Sequence, residues 1–254
     1  MIDKNIINKI SQIVNIEKSK TILEIGPGYG NLTKKIANFN PNRIFAVEKD
    51  KKLTSYLKED FFNQKNVEII NDDILKIFNK NKILGKEVLV FGNLPYNIST
   101  KILTTLVLLK KWPPWYEILI FMFQKEVADR IIAKPNSRDF GRLSILCNWR
   151  MDIKKHFDVS KNCFLPKPKV NSTVLTFKPK KELKFILKNP KNLEIVTREL
   201  FSNRRKMINK NFLKLFKNDK SAAEELNLNL NLRPEQLGYE MFYKIAIRYE
   251  NLFG

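Results

Sequence analysis

One histidine, His156, occurs in 254 residues, and that scarcity excludes more chemistry than any other feature of the chain. Ser-His-Asp hydrolysis, histidine-ligated zinc and imidazole general-base mechanisms all require this residue. Flanked by Lys155 and Phe157, His156 reads as a surface or half-buried side chain. Cysteine is almost as scarce. Cys147 and Cys163 form neither a CxxC pair nor a disulfide framework, so both read as reduced and structural, and no metal site is expected. Long apolar runs are missing as well: the longest, 106–109 and 118–123, are far too short to span a bilayer. Asp3 and Lys4 stand where a secretory signal would build its apolar core, so a soluble, cytoplasmic chain is expected. Acid is in short supply: 26 Asp+Glu face 47 Lys+Arg, a formal charge of +21. A polyanionic partner, nucleic acid ahead of membrane, is the first reading, and a general drift toward Lys, Asn and Ile is the competing one. Any catalysis in such a chain works by positioning and electrostatics.

With 43% hydrophobic residues and 11% aromatics, the chain has enough apolar surface to bury a core. Residues 4–14 carry a helical stripe at Ile6, Ile7, Ile10, Ile13 and Val14. Thr21–Ile25 reads as a buried strand running into Gly26-Pro27-Gly28-Tyr29-Gly30, with a helix from Asn31 to Phe39. A second strand, Arg43–Val47, is closed by Glu48; Leu53–Phe62 is helical; Val67–Ile70 is a third strand ending at Asn71-Asp72-Asp73. A fourth strand, 88–91, is followed by a helix over 100–110, a fifth strand at 118–123, and a helix through 124–132. After a proline-stiffened loop, 164–170, comes an alternating strand, 172–177. Strand signals fade beyond about residue 182, where helices are expected over 192–216, 221–227 and 239–252. Strands alternating with helices mean an α/β parallel sheet with crossover helices, and open α/β sheets bind ligands at the C-terminal ends of their strands. Residues 1–181 form the expected catalytic domain and 182–254 a small C-terminal helical domain.

Every unusual polar group falls at that edge. The glycine turn and the acid ending strand two suit a nucleotide-like ligand, glycines allowing close approach and Glu48 holding a ribose diol. The spacing is G-x-G-x-G, with no donor cluster for a pyrophosphate. An adenosyl ligand without phosphates, S-adenosylmethionine, fits better, with Asp73, or its neighbour Asp72, accepting from the adenine amine. Strand four delivers Asn93-Leu94-Pro95-Tyr96. Pro95 fixes its own φ and holds Leu94 extended, setting the angle of the Leu94 carbonyl. Asn93 adds a second acceptor and Tyr96 a flat aromatic face. Two fixed acceptors beside a ring suit a planar exocyclic amine: they favour a freer nitrogen lone pair, and the ring face stabilises the cation formed on methylation. A proline turn at a strand end is the bland alternative.

These segments, with Gln124-Lys125-Glu126-Val127, Gly141-Arg142-Leu143-Ser144, Phe164-x-Pro-x-Pro-Lys-Val and Phe201-Ser202-Asn203-Arg204-Arg205-Lys206, occur in an order that closely resembles the KsgA-type small-subunit rRNA adenine-N6 dimethyltransferases over nearly the whole chain. The resemblance implies a Rossmann-like S-adenosylmethionine-dependent methyltransferase sheet, and two methyl groups placed on each of two adjacent adenines in a hairpin near the 3′ end of small-subunit rRNA, in a monomer. It implies that Glu24, Gly26, Gly28, Glu48, Lys49, Asp73, Ile74 and Asn93 surround the cofactor. Asn93, Leu94 and Pro95 would present the amine's acceptors, and Tyr96 and Phe164 would sandwich the base; in isolation, Phe164 reads as core. Lys167 and Lys169 lie in a stretch, 161–181, with six lysines and no acid. Arg204, Arg205 and Lys206 fall on the helix expected over 192–216, whose apolar side is Val196, Leu200 and Met207. All five cations are candidates for RNA phosphate contact.

Two rivals share parts of this pattern. The macrolide-resistance type of large-subunit rRNA adenine methyltransferase has the Asn-x-Pro-Tyr site, but Gly26-Pro27-Gly28 and Phe-x-x-Arg-Arg-Lys favour the small-subunit type. A non-catalytic nucleic-acid-binding factor on the same fold is disfavoured by the intact Asn93–Tyr96. One feature departs from the family: a basic arm carrying Phe-Gly-Gln-Asn/His-Phe-Leu usually precedes the first helix, and the motif is absent from this sequence. Weaker cofactor binding and slow turnover are expected on that account.

Overall fold

The short apolar runs build one seven-stranded sheet in the order β3-β2-β1-β4-β5-β7-β6, seen in a computed structural model that describes residues 2–80 and 85–254. Met1, the first residue of the N-terminal segment discussed above, lies outside them. The strands are β1 (Thr21–Ile25), β2 (Arg43–Glu48), β3 (Val67–Asn71), β4 (Val88–Asn93), β5 (Tyr116–Gln124), β6 (Met151–Val159) and β7 (Ser172–Pro179). The first five pair in parallel, and β7 runs antiparallel to β5. Helices α1 (Lys4–Ser11), α2 (Asn31–Ala37), α3 (Lys51–Asp60), α4 (Ile74–Lys80), α5 (Ser99–Val107) and α6 (Lys125–Ile132) alternate with them. β1 and β4 are buried almost throughout, as expected for strands covered on both faces.

Register decides what the sheet presents. Ile25 pairs with Val47 and with Gly92, Val47 with Ile70, and Gly92 with Phe121. The next residues along, Gly26, Glu48, Asn71, Asn93 and Met122, therefore share one edge. Local capping tightens this edge. Asp50 accepts from Lys52 N (2.8 Å) and Leu53 N (3.0 Å), so α3 begins at Lys51, three residues after Glu48.

The chain folds as two compact units. The first comprises Met1–Leu103, Pro113–Ala128 and Ile153–Pro179; the second comprises Thr104–Trp112, Asp129–Asp152 and Lys180–Gly254. The core of the first joins Ile7 and Ile10 of α1 and Ile36 of α2 to Ile22, Ile44, Phe91 and Ile120 of the sheet. The second is helical, with α7 (Arg142–Arg150), α8 (Lys191–Leu200), α9 (Asn209–Leu215), α10 (Ser221–Glu225) and α11 (Tyr239–Phe253) around Phe140, Trp149, Phe212, Phe216 and Phe242. Inside it the buried Arg150 guanidinium lies 3.8 Å from the Trp149 ring centroid and donates to the Leu109 carbonyl at 2.7 Å. The helix read over 192–216 is two helices. Residues 201–207 form turns between α8 and α9, so Arg204, Arg205 and Lys206 are turn residues and Met207 is exposed. Phe201 N still donates to the Thr197 carbonyl, and the helical pattern ends at Ser202, whose N (3.1 Å) and Oγ (2.8 Å) both donate to the Glu199 carbonyl.

Among the described residues no helix is long and apolar enough to cross a membrane.

Gly30 tests the packing under the glycine turn. Its φ is +75°, and a Cβ there would lie 2.8 Å from Phe61 and 2.9 Å from Leu57; at Gly28, φ +59°, a Cβ would meet nothing within 4 Å. Gly30→Ala should therefore cost about 2–4 kcal/mol, strain plus overpacking. Gly28→Ala should cost only the left-handed backbone term, about 1–2 kcal/mol. Urea unfolding of both variants beside the parent measures the difference.

Candidate functional site

Gly26, Glu48 and Asn93 of the edge row border a cavity of about 380 Å³ lying wholly within the first unit. Its floor is the glycine turn. Gly26 N donates to the Val47 carbonyl at 2.9 Å, tying the end of β1 to β2. A Cβ on Gly26 would sit 3.5 Å from the Asn93 carbonyl oxygen, and its φ of +68° disfavours any L side chain. Gly92 is required for another reason: a Cβ there would meet the Leu94 side chain at 2.6 Å and Phe121 at 3.0 Å. Leu94 is buried, and it folds back over the strand end it has just left.

Glu48 is held by backbone amides. Its Oε1 accepts from Lys49 N (2.8 Å) and Asp50 N (3.0 Å), and its Oε2 from Gly28 N (3.3 Å). The carboxylate is thus fixed at the cavity wall with one oxygen toward the glycine turn. Glu24 lines the same cavity, is 2% exposed and accepts from Thr33 Oγ1 at 2.6 Å. Burial pushes its pKa up to about 7, the Thr33 hydrogen bond opposing that rise and the nearby Glu48 charge adding to it.

Asp73 and Ile74 follow β3 and are not among the cavity-lining residues. Asp73 accepts from Lys49 Nζ at 3.0 Å through one oxygen and from Leu75 N at 3.0 Å through the other. The Lys49 hydrogen bond, then that of Leu75, hold its carboxyl below the ordinary carboxylate range. Asp72 turns an oxygen back onto Asp73 N at 2.7 Å. Lys49 reaches Asp73 and does not line the cavity.

The opposite wall carries the Asn93 run and the proline loop. Asn93, Leu94, Pro95, Tyr96 and Phe164 all line the cavity, so the sheet brings these five together. Tyr96 is oriented from across the sheet: its hydroxyl lies 2.8 Å from Oγ of the fully buried Ser172, first residue of β7. Ser99 Oγ donates to the Tyr96 carbonyl at 3.2 Å and Ile98 N to that of Pro95 at 3.1 Å, which order the turn into α5. Phe164 is 8% exposed and belongs to the core as well as to the wall. Lys167 and Lys169 are exposed on the same loop. In the second unit, Arg205 and Lys206 are exposed, whereas Arg204 pairs with Glu235 at 2.9 Å and donates to the Ser137 and Arg138 carbonyls.

Sequence reasoning missed Ser172 and Thr33, which act through long-range side-chain contacts, and Ile2, Leu53 and Leu165, whose apolar character gave no signal. The charge of the lining is its most informative property. In a chain of +21, the cavity is lined by two carboxylates, Glu24 and Glu48, and by no Lys or Arg among the described residues. Such a wall repels phosphate and favours a cationic ligand with hydroxyls to bind.

The family described as ribosomal RNA adenine dimethylase matches residues 1–251. The chain belongs to that family. It is 46% identical over 254 residues to a ribosomal RNA small subunit methyltransferase A of Pelagibacter ubique, covering all of this chain and 95% of the relative. A protein of the same description from Wolbachia sp. subsp. Drosophila simulans is 38% identical over 258 residues, with 100% and 92% covered. Among solved structures, a dimethyladenosine transferase from Plasmodium falciparum superposes with a TM-score of 0.80 at 25% identity, covering 99% of this chain and 97% of that one. The 23S rRNA methyltransferase ErmE shares the fold, with a TM-score of 0.69 at 20% identity and 97% of each chain covered. The large-subunit reading is not favoured. This family member is an α/β methyltransferase, and its cofactor is S-adenosylmethionine. The cavity suits that cofactor: it has an acid held by amides for hydroxyls, a second acid beside it, and, among the described residues, no Lys or Arg for phosphate.

Glu24 supplies a pH test. Its raised pKa means the native state keeps a proton that the unfolded chain has released. The associated stability is full below the ordinary value of 4.5 and is lost as pH rises through about 7. The difference amounts to roughly 3 kcal/mol. Glu24→Gln cannot titrate but can still accept from Thr33. The stability of the parent minus that of the variant should therefore fall by about this amount across the window. Urea midpoints measured without cofactor at both ends of the range provide the check.

Proposed function

We propose that this chain transfers two methyl groups from S-adenosylmethionine to N6 of each of two adjacent adenines in a hairpin near the 3′ end of small-subunit rRNA, as a cytoplasmic monomer acting in ribosome assembly. The observation carrying this reading is the cavity itself, acid-lined and, among the described residues, free of basic side chains, ending in Asn93–Tyr96. The cofactor supplies an electrophilic methyl group. Glu48 binds ribose hydroxyls, its second oxygen kept in place by Gly28 N. A bound cationic ligand would lower the raised pKa of Glu24, so that Glu24 supports the ligand's cationic end as a carboxylate once it is bound. Asp73, with Lys49 beside it, addresses the adenine amine by exchanging a hydrogen bond, and Ile74 gives that ring an apolar edge.

On the other wall the Asn93 side-chain oxygen and the Leu94 carbonyl accept the two N–H groups of the target amine. Pro95 fixes the angle between them. Hydrogen bonding to both N–H groups frees the nitrogen lone pair, and the electron-rich face of Tyr96 stabilises the charge that develops there. Ser172 holds the Tyr96 ring in position. Phe164 closes the base from its other face, its own back seated in the core. No side chain is required as a base, because the methylated ammonium releases its proton to water. Lys167 and Lys169 beside the cavity, and Arg205 and Lys206 in the helical unit, contact RNA phosphates.

Asn93→Ala should lower the single-turnover methylation rate by about 10²–10³-fold, the usual effect of losing a positioned polar contact in the transition state. Incubating the parent chain with small subunits that lack these methyl groups should yield N6,N6-dimethyladenosine at two neighbouring positions, read by mass spectrometry. Rates within threefold of the parent for the Asn93 variant would remove the residue from this role.

The cations divide by their partners. Arg205→Gln and Lys206→Gln should each flatten the salt dependence of RNA binding, by up to about 0.7–0.9 in log–log slope, with folding stability unchanged. Arg204→Gln should instead lower stability, since Glu235 and two carbonyls lose their donor. Filter binding over a salt series, together with thermal melts, separates the two outcomes.

A further inference from the structure

Leu165 is 70% exposed, yet its neighbour Phe164 is 8% exposed and seated in the core. A single exposed leucine is ordinary on a protein surface. Three features make this one different. It lines the same cavity as Asn93 and Tyr96, on the rim formed by the proline loop. The loop that carries it is tied down: Lys161 N donates to Asn171 Oδ1 at 3.0 Å, joining its two ends, and Ile2 N donates to the Cys163 carbonyl at 2.9 Å. Pro166 and Pro168 fix φ on its C-terminal side, and exposed Lys167 and Lys169 alternate with them.

An adenine in folded rRNA is stacked on its neighbours, whereas the acceptors of Asn93 and Leu94 lie at the end of a strand, walled by rings. The base must leave its stack to reach them, and the gap left behind is unfavourable unless something apolar fills it. We infer that Leu165 is that filler: a wedge on a rigid, phosphate-holding loop that occupies the place of the target adenine while the base sits between Tyr96 and Phe164. A wedge must be exposed before binding, apolar, stiffly mounted and next to the receiving cavity, and Leu165 meets each condition. Its role is to shift the stacked-to-extruded equilibrium, so it acts on substrate conformation and is not part of the methyl-transfer chemistry. The inference rests on the proposed substrate, an adenine in structured small-subunit rRNA.

The test compares the parent, Leu165→Ala and Leu165→Met on small subunits lacking the methyl groups. It is paired with binding to the isolated hairpin RNA carrying 2-aminopurine at a target position. Because Leu165 is exposed, neither substitution should disturb folding. Leu165→Ala should cut the single-turnover rate on subunits by about tenfold and remove most of the fluorescence rise that reports unstacking, with RNA affinity changed less than threefold. Leu165→Met should retain both signals. A full fluorescence rise with Leu165→Ala, or a loss of affinity as large as the loss of rate, would overturn the wedge. Parent protein that leaves subunits unmethylated would overturn the proposed substrate instead, so the two failures are told apart by the parent alone.

Discussion

A side-chain carbon placed on Gly26 would stand 3.5 Å from the carbonyl oxygen of Asn93, and this near approach of two strand ends organises the site. Parallel pairing of β1 with both β2 and β4 puts Gly26, Glu48 and Asn93 in one row. Only a glycine turn at φ +68° lets the chain leave β1 without filling the space that the row encloses. The other site contacts follow from that spacing. Gly28 comes within reach of the Glu48 carboxylate, α2 starts at once and brings Thr33 beneath Glu24, and Leu94 can fold over Gly92 because that position has no side chain.

The sheet was legible because each strand is a short apolar run and each polar group of interest follows one directly. Gly26, Glu48 and Asn93 could be read in sequence, since register in a parallel sheet aligns residues at equal distances beyond the apolar run. Ser172 could not be read: it meets Tyr96 from 76 positions away, and nothing local distinguishes it from the other serines. β6 escaped notice because its burial pattern is irregular, with Lys154 and Lys155 both exposed, so no clean alternation marks it as an edge strand. The stretch 201–207 misled in the opposite direction. Val196, Leu200 and Met207 carry helical spacing straight through it, and no glycine or proline interrupts; the helix ends where Ser202 turns both its N–H and its hydroxyl back on the Glu199 carbonyl, a local hydrogen bond that the apolar spacing does not reveal.

Arg204 and its neighbours show the same limit for charge. Three adjacent cations look equivalent in sequence, yet one is spent on Glu235 and two backbone carbonyls while the other two face solvent. Charge count alone gives the sign of a partner, and the hydrogen bonds decide which cations are available to it.

With the function proposed above, the segregation of charge, acids inside the cavity and lysines on the loops around it, would give the two substrates different sensitivities to ionic strength. Attraction between exposed lysines and RNA phosphates would be screened over about 8 Å at physiological salt, and each such contact would add to the steepness with which salt releases RNA. In the proposed roles, Glu48, anchored by three backbone amides, and Glu24, enclosed by the core, would act at short range on a ligand that has left bulk water. On that reading rising salt would release nucleic acid before the small ligand. The surrounding electrolyte would then set how often the protein, with its small ligand in place, meets its RNA.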